Sequence, residues 1–416
     1  MFSDWPRCIV CVDMNAFFAS VEQLLHPDIR GKPLAITNGH HGSCIITSSY
    51  AARAYGVKTG MPLSHARLLC PHLIQMPARG SVYETYSKQL MRLLHDRFTP
   101  DIEVFSVDEA FLDMSRVYHR YRTPRILAHA IRDAVCQQLS LPCSVGISGD
   151  KTTAKYAAKC HKPMGVTVIE PMVAERILAP VAVSELCGIG PRTTRYLSQF
   201  GGVNCGSVRR IPVSMLRKKF GIKGQRLWLM CAGRDPDCVR AYLKPAQTMG
   251  HSKILPPGVN SAARLMAYLD AMVFKLAYRM QLQPYYAPEF FCKIAFAQGA
   301  VAYQLNLPQP TNQYAVLSQW MKALVPHVPI RSMVRRVQIN AASLTQCVQR
   351  DLLEDEYLSS QSPVDQLVAH VNARFGRSTI MPARLTHLLE RIQSTNVISP
   401  SWKGGVPNPG RQTIWD

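Results

Sequence analysis

The chain has 416 residues, 47% of them hydrophobic, enough for sizeable cores and roughly two to four domains. Lysine and arginine number 48 against 27 acids, a net charge of +21, which points to a polyanionic partner, nucleic acid before a membrane surface. No apolar run reaches the ~18 residues of a transmembrane helix, the start "MFSDWPRCIV" lacks the features of a signal peptide, and the 13 cysteines are expected as free thiols of a cytoplasmic protein.

In chain order, "CIVCVDMNAFFASVEQL" reads as a strand to about Asp13 and then a helix through Leu24. Cys8 and Cys11 form a C-x-x-C, but inside an apolar strand and without a second pair, so zinc is not expected. "GKPLAI" and "SCIITSS" read as strands, and "YAARAYGVKTGMPLSHARLLCP" as a helix, a break at Gly56–Gly60 and a second short helix. "SVYETYSKQLMRLLHDRFT" has helical spacing, "EVFSVDEAFLDM" is a hairpin, "TPRILAHAIRDAVCQQL" an amphipathic helix and "PCSVGISGD" a strand. This order predicts an α+β layer, an antiparallel sheet with helices on one face. After about residue 170 come short helices and glycine-containing turns. Between Ala241 and Thr345 ten lysines and arginines face two acids, Asp270 and Glu289. From about residue 346 the chain is polar, with its last twenty or so residues expected to be loose.

The acidic hairpin carries the chemistry. Asp-Glu is a poor two-residue turn, and adjacent carboxylates repel unless a cation compensates. Apolar flanks on both sides argue against a long exposed loop, so Asp108 and Glu109 should stand at the rim of the sheet. Asp13, at the end of the first strand, can be their neighbour. Three carboxylates and a backbone carbonyl suit two Mg²⁺ ions and in-line displacement at phosphorus. No Walker motif or Ser-His-Asp spacing competes. "GDKTTAKYAAKCHKPMG" spaces Lys151, Lys155 and Lys159 on one helix face, either solvated or facing an anion, with Lys162 at its end. Tyr50 and Arg53 open another helix within reach of the same phosphates. "LCGIGPRTTRYLSQFGG" presents backbone N–H groups at a helix start, suited to a DNA phosphate.

"VDMNAFFASVEQ", "SSYAARAYGVKTGM", "FSVDEAFLDMS", "VGISGDKTTAKYAAKCHKPMG" and "ELCGIGPRTTRYL" resemble, in order, five blocks of the Y-family translesion DNA polymerases. The likeness is to the bacterial polymerase IV and polymerase V catalytic-subunit types, with Asn15-Ala16 nearer the latter. The resemblance implies an α+β right-hand polymerase: a ferredoxin-like palm (1–24 and 80–170), small fingers (25–79), a helical thumb with a helix-hairpin-helix (171–238), an α/β little finger that tracks DNA (245–345), and a C-terminal tail (346–416). It implies that Asp13, Asp108, Glu109 and the Met14 carbonyl bind two Mg²⁺, that Thr47, Tyr50, Arg53 and Lys162 contact the deoxynucleoside triphosphate, and that Phe18 is a steric gate against a ribose 2′-OH. Gly188, Ile189 and Gly190 would hold primer–template DNA. Gln349, Leu352 and Leu353 resemble a sliding-clamp peptide that lacks its terminal Phe; an accessory subunit is a further possible partner.

Two departures stand out: Asp150 and Met164 occupy positions where the family pattern has Asn. The expected activity is low-fidelity, template-directed synthesis across damaged DNA, without proofreading. The rivals are an inactive relative that scaffolds repair proteins on DNA and clamp, a nucleotide cyclase and a plain DNA-binding module. The acid trio disfavours the first and last. The G-I-G segment and the basic stretch disfavour the cyclase.

Overall fold

The structure, a computed structural model, describes residues 5–38, 44–241, 245–255, 258–330, 332–346, 363–375 and 379–385. The chain divides near residue 243 into two compact units.

The first unit is built on a five-stranded sheet. Its strands are β1 (Ile9–Met14), β5 (Ile102–Val104), β6 (Glu109–Asp113), β7 (Cys143–Ser148) and β8 (Val166–Val168), in the order β5-β6-β1-β7-β8. Every pairing is antiparallel except β7 with β8. With α4 (Gly80–Arg97) and α5 (Pro124–Leu139) as crossovers, the first four strands have the ferredoxin-like arrangement.

The expectation of helices on one face needs correction, and the reason is in the strand pattern. Alternate residues of a strand point to opposite faces. Val10 and Val12, with Ala110, Leu112, Val145 and Ile147, face a core shared with α4 and α5. The other face is apolar as well: Ile9, Cys11 and Phe111 pack against Ala154 and Ala158 of α6 (Lys151–Cys160). Each large apolar side chain so buried contributes about 1.5–3 kcal/mol. The helix comes close because Gly146 lies beneath it; a Cβ there would sit 2.2 Å from the Ala154 carbonyl oxygen and the Ala158 nitrogen. Asp150 caps α6 by accepting the Thr153 N–H at 3.0 Å, so this departure from the family pattern keeps a good N-cap.

Helix α1 (Phe17–Leu25) follows β1 directly. A three-stranded sheet, β3-β2-β4, comprises β2 (Leu34–Thr37), β3 (Ile45–Ser48) and β4 (Ile74–Pro77), accompanied by α2 (Tyr50–Ala54) and α3 (Leu63–Leu69). Five short helices come next: α7 (Ala174–Leu178), α8 (Pro191–Ser198), α9 (Cys205–Arg210), α10 (Val213–Phe220) and α11 (Ile222–Met230).

The second unit is a four-stranded antiparallel sheet, β11-β10-β12-β9, of β9 (Thr248–Ile254), β10 (Ala287–Phe296), β11 (Ala300–Thr311) and β12 (Val334–Ala342). Helices α12 (Ala262–Leu282) and α13 (Tyr314–Leu324) bury one face over Phe290, Cys292, Val337 and Ile339. By alternation, Lys293, Gln304, Gln338, Asn340 and Arg336 lie on the open face. That face is richer in amides than in charge. Part of the basic surplus lies elsewhere: Lys275, Arg279 and Lys253 surround His251, whose imidazole is pushed down to about 3 by burial first and then by these cations. The polar segment after residue 346 also contains an element not foreseen, a helix at Pro363–Phe375 whose Val368 packs with Ala271 and Phe274 of α12. No described helix is long and apolar enough to cross a membrane.

Candidate active site

The strand register brings the acids together. Asp13 pairs directly with Glu109, and Ser144 is its partner on the other side, so all three share the α6 face of the sheet. Glu109 is the first residue of β6 rather than the hairpin tip; Asp108 closes the turn, and its carbonyl accepts the Met14 N–H at 2.9 Å. The Ser106 hydroxyl lies 2.7 Å from Asp108 Oδ1 and 3.3 Å from Glu109 Oε2.

Two lysines enter this cluster. Lys155 donates to both Glu109 oxygens at 2.6 Å, its ammonium 4.2 Å from the Phe105 ring centre. Lys162 pairs with Asp13. Burial pushes Glu109 up, but Lys155, with the bond to Asp13 and the charge of Lys162, outweighs it and leaves the carboxyl below its usual range. Asp13 is raised to about 7, by burial first, with Lys162 opposing and Glu109 adding to the rise. Asp108 is also raised, chiefly by burial, against its bond from Ser106. The site therefore has more buried negative charge than its lysines satisfy.

That imbalance fits a divalent cation with an all-oxygen donor set. Among the described residues no three metal-ligating side chains are already gathered around one point. Asp13 and Glu109 are instead each engaged by a lysine.

The triphosphate candidates lie around the same acids. Tyr50 opens α2, and its hydroxyl is buried without a hydrogen-bond partner. Its titration is raised by burial, opposed by Arg53 and Lys162 and reinforced by Asp13, so these groups share one electrostatic environment. Arg53 lies 4.8 Å from the Tyr50 ring centre and donates to the Ser48 carbonyl at 3.1 Å. Thr47 is on β3, opposite Ile36 of β2. Phe18, in the first turn of α1, is 8% exposed and stacks on Tyr83 at 4.2 Å. The Tyr83 hydroxyl donates at 2.6 Å to the fully buried Glu22, which Arg79 also holds.

The lysines on this face of α6 each meet an acid of the chain. Lys151 bonds Glu103 at 2.8 Å and Asp237 at 3.0 Å, Lys155 holds Glu109, and Lys159 pairs with Glu185. The anions that offset the row of like charges belong to the chain itself.

Gly188 has φ 86° and Gly190 caps α8; nothing lies within 4 Å of where a Cβ would stand at either, so this turn is open. Gln349, Leu352 and Leu353 fall outside the described residues. Sequence reasoning did not single out Lys155 as part of the acid site, or Asn15 and Ser144 beneath it. The four-residue lysine spacing was the one available signal.

Comparison with known proteins bears on the family and the fold. A profile of the impB/mucB/samB family matches residues 12–159, the DNA polymerase-iota thumb domain residues 184–235, and the impB/mucB/samB C-terminal domain residues 246–352. A DNA polymerase IV 2 of Mesorhizobium japonicum is 30% identical over 89% of this chain and 92% of its own. The DNA polymerase IV of Moorella thermoacetica is 34% identical over 67% of this chain and 70% of its own. A solved Y-family DNA polymerase chimera, Dbh-Dpo4(243-245)-Dbh, superposes with a TM-score of 0.71 at 26% identity, covering 81% of this chain and 99% of that one. With the acid cluster, the ferredoxin-like sheet and these relatives in agreement, the chain belongs to the Y-family of translesion DNA polymerases.

Proposed function

We propose that this chain carries out template-directed, low-fidelity DNA synthesis across damaged template, by two-metal-ion nucleotidyl transfer without proofreading. The observation that carries the reading is the convergence of Asp13, Asp108 and Glu109 at one sheet edge beside Lys162 and an orphaned Tyr50 hydroxyl. Asp13, Asp108, Glu109 and the Met14 carbonyl would hold two Mg²⁺ ions, which supply charge neutralisation at the primer 3′-oxygen and the leaving pyrophosphate. Lys162, Arg53, Tyr50 and Thr47 bind and orient the triphosphate. Phe18, backed by Tyr83, obstructs a ribose 2′-OH.

In this reading residues 1–24 and 80–170 form the palm, 25–79 the fingers, 171–238 the thumb and 245–345 the little finger. The thumb turn at Gly188, Ile189 and Gly190 takes a DNA phosphate. Gln349, Leu352 and Leu353 would dock on a sliding clamp; replacing both leucines by alanine should then lower processivity only on clamp-loaded DNA. DNA as substrate and the free cysteines both suit the cytoplasm.

An inactive scaffold would have no need of an intact acid trio. Primer extension on undamaged and lesion-bearing templates is the test. Asp108→Ala should abolish extension while primer–template binding survives, since it removes a metal ligand and no DNA contact. Near-normal extension by that variant would refute the assignment.

A further inference from the structure

The loop that carries Lys162 is held in an unusual conformation, and the groups that hold it lie under Asp13. After α6 the chain runs through Lys162, Pro163, Met164 and Gly165 into β8. Met164 has φ 57°, a left-handed conformation that few side chains other than Asn or Asp adopt readily. Such a residue persists only where its surroundings over-determine it.

Here the determinants are named. The Met164 N–H donates to Asn15 Oδ1 at 2.6 Å. The Gly165 N–H donates to Ser144 Oγ at 3.3 Å. The Asn15 amide donates to the same Ser144 oxygen at 3.0 Å. Gly165 itself cannot carry a side chain, because a Cβ would fall 1.8 Å from the His161 carbonyl oxygen.

Asn15 is in turn held on several sides. It is fully buried, its N–H donates to the Pro142 carbonyl at 2.8 Å, and its own carbonyl accepts the Ser20 hydroxyl at 2.7 Å. It stands two residues after Asp13, and Ser144 is the cross-strand partner of Asp13. One buried amide–hydroxyl pair thus ties the strand end bearing the metal ligand to the loop bearing the phosphate-binding lysine.

We propose that Asn15, with Ser144, is a positioning residue for nucleotide binding: it fixes the Met164 turn and thereby aims the Lys162 ammonium at Asp13 and the incoming triphosphate. This rests on the reading of Lys162 as a triphosphate contact. Asn15 touches no reacting atom; it acts through the loop.

The test uses the full chain on a primer–template. Nucleotide affinity is measured on a chain-terminated primer, where no chemistry occurs, alongside KM and kcat on an extendable one. Asn15→Leu should weaken nucleotide binding and raise KM about tenfold, with a smaller change in kcat. In a Lys162→Ala background Asn15→Leu should add little, because the two act as one unit. Should Asn15→Leu not fold, Ser144→Ala, which strips one hydroxyl, replaces it with the same expectations. If Lys162→Ala alone leaves nucleotide affinity unchanged, the triphosphate reading fails. If Lys162→Ala weakens affinity but Asn15→Leu does not, or if their effects simply multiply, the positioning role is overturned.

Discussion

Replacing Asp13 by asparagine should make the metal-free protein more stable while destroying its activity. Asp13 is 8% exposed, and its carboxyl is raised from 3.8 to about 7, chiefly by burial. A folded-state value above the unfolded one means that the fold holds the proton more tightly. This group therefore costs no stability below the unfolded value, an increasing amount as pH rises from 3.8 to about 7, and a constant amount above that. At about 1.4 kcal/mol per pH unit the full penalty at pH 8 is about 4 kcal/mol. Asparagine resembles the neutral acid but turns an amide towards Lys162, so the expected gain is about 2–4 kcal/mol at pH 8. At pH 5 the native carboxyl is already protonated, and the gain should shrink by about 2–3 kcal/mol. The assay is denaturant unfolding in EDTA at pH 5 and pH 8, repeated with Mg²⁺, which should stabilise the native protein more than the variant. Primer extension should vanish. A variant that is destabilised at pH 8, or changed equally at both pH values, would refute the account of Asp13 as an under-compensated buried charge.

Phe18→Ala should admit ribonucleotides, whereas Tyr83→Phe keeps the ring stack and should still reject them. The latter should lose about 1.5–3 kcal/mol of stability with the bond to Glu22. Single-nucleotide insertion and unfolding curves check both, and equal rejection by Phe18→Ala and native protein would make Phe18 a core residue only. In DNA binding, Lys293→Ala and Arg336→Ala should each flatten the slope of log K against log salt by up to about 0.9. Lys159→Ala, whose partner is Glu185, should leave it unchanged; a slope insensitive to the first two places the DNA surface elsewhere. Asp235 is 1% exposed and accepts from Thr152 and twice from Arg226, so Asp235→Ala should cost about 3–5 kcal/mol. Glu185→Ala, at an exposed pair, should cost under about 1 kcal/mol, and equal losses in the two unfolding curves would contradict this ranking.

Strands β1, β5, β6 and β7 were legible because period-2 alternation and the poor turn chemistry of Asp108-Glu109 are local properties, whereas β8, which pairs parallel with β7 in a sheet expected to be antiparallel, was not foreseen. What escaped was tertiary. The apolar character of Ile9, Cys11 and Phe111 is visible in the sequence, but that they require a helix on their own face depends on strand order. The like-charge row on α6 raised the right question, and its partners, Glu103, Glu109 and Glu185, stand 48, 46 and 26 residues away. Asn15 was read as a family marker, since nothing local connects it to Met164, 149 residues on. The positive φ at Met164 is not written in Met itself; its one hint was that the family pattern has Asn at this position.

Apart from Asp150, the α6 N-cap, which burial also raises, the acids at the two ends of α6 differ in how far the chain's own cations compensate them. At the helix's N-terminal end, Lys151 joins Glu103 to Asp237, and Arg226 joins Asp237 to Asp235. Burial there pushes Asp237 up, but Lys151, Arg226 and Arg240 outweigh it and hold the carboxyl below its usual range. These acids have their cations built in, which secures the segment leading to residue 241. At the other end, Asp13 and Asp108 remain raised despite Lys162 and Ser106. Their charge is only partly met by the chain's own cations. A fold selected for stability alone would complete it with another lysine, as it does for Asp237. Under the proposed two-metal chemistry, leaving it incomplete costs stability in the metal-free state and confines the gain from a divalent ion to the place where that chemistry would need one.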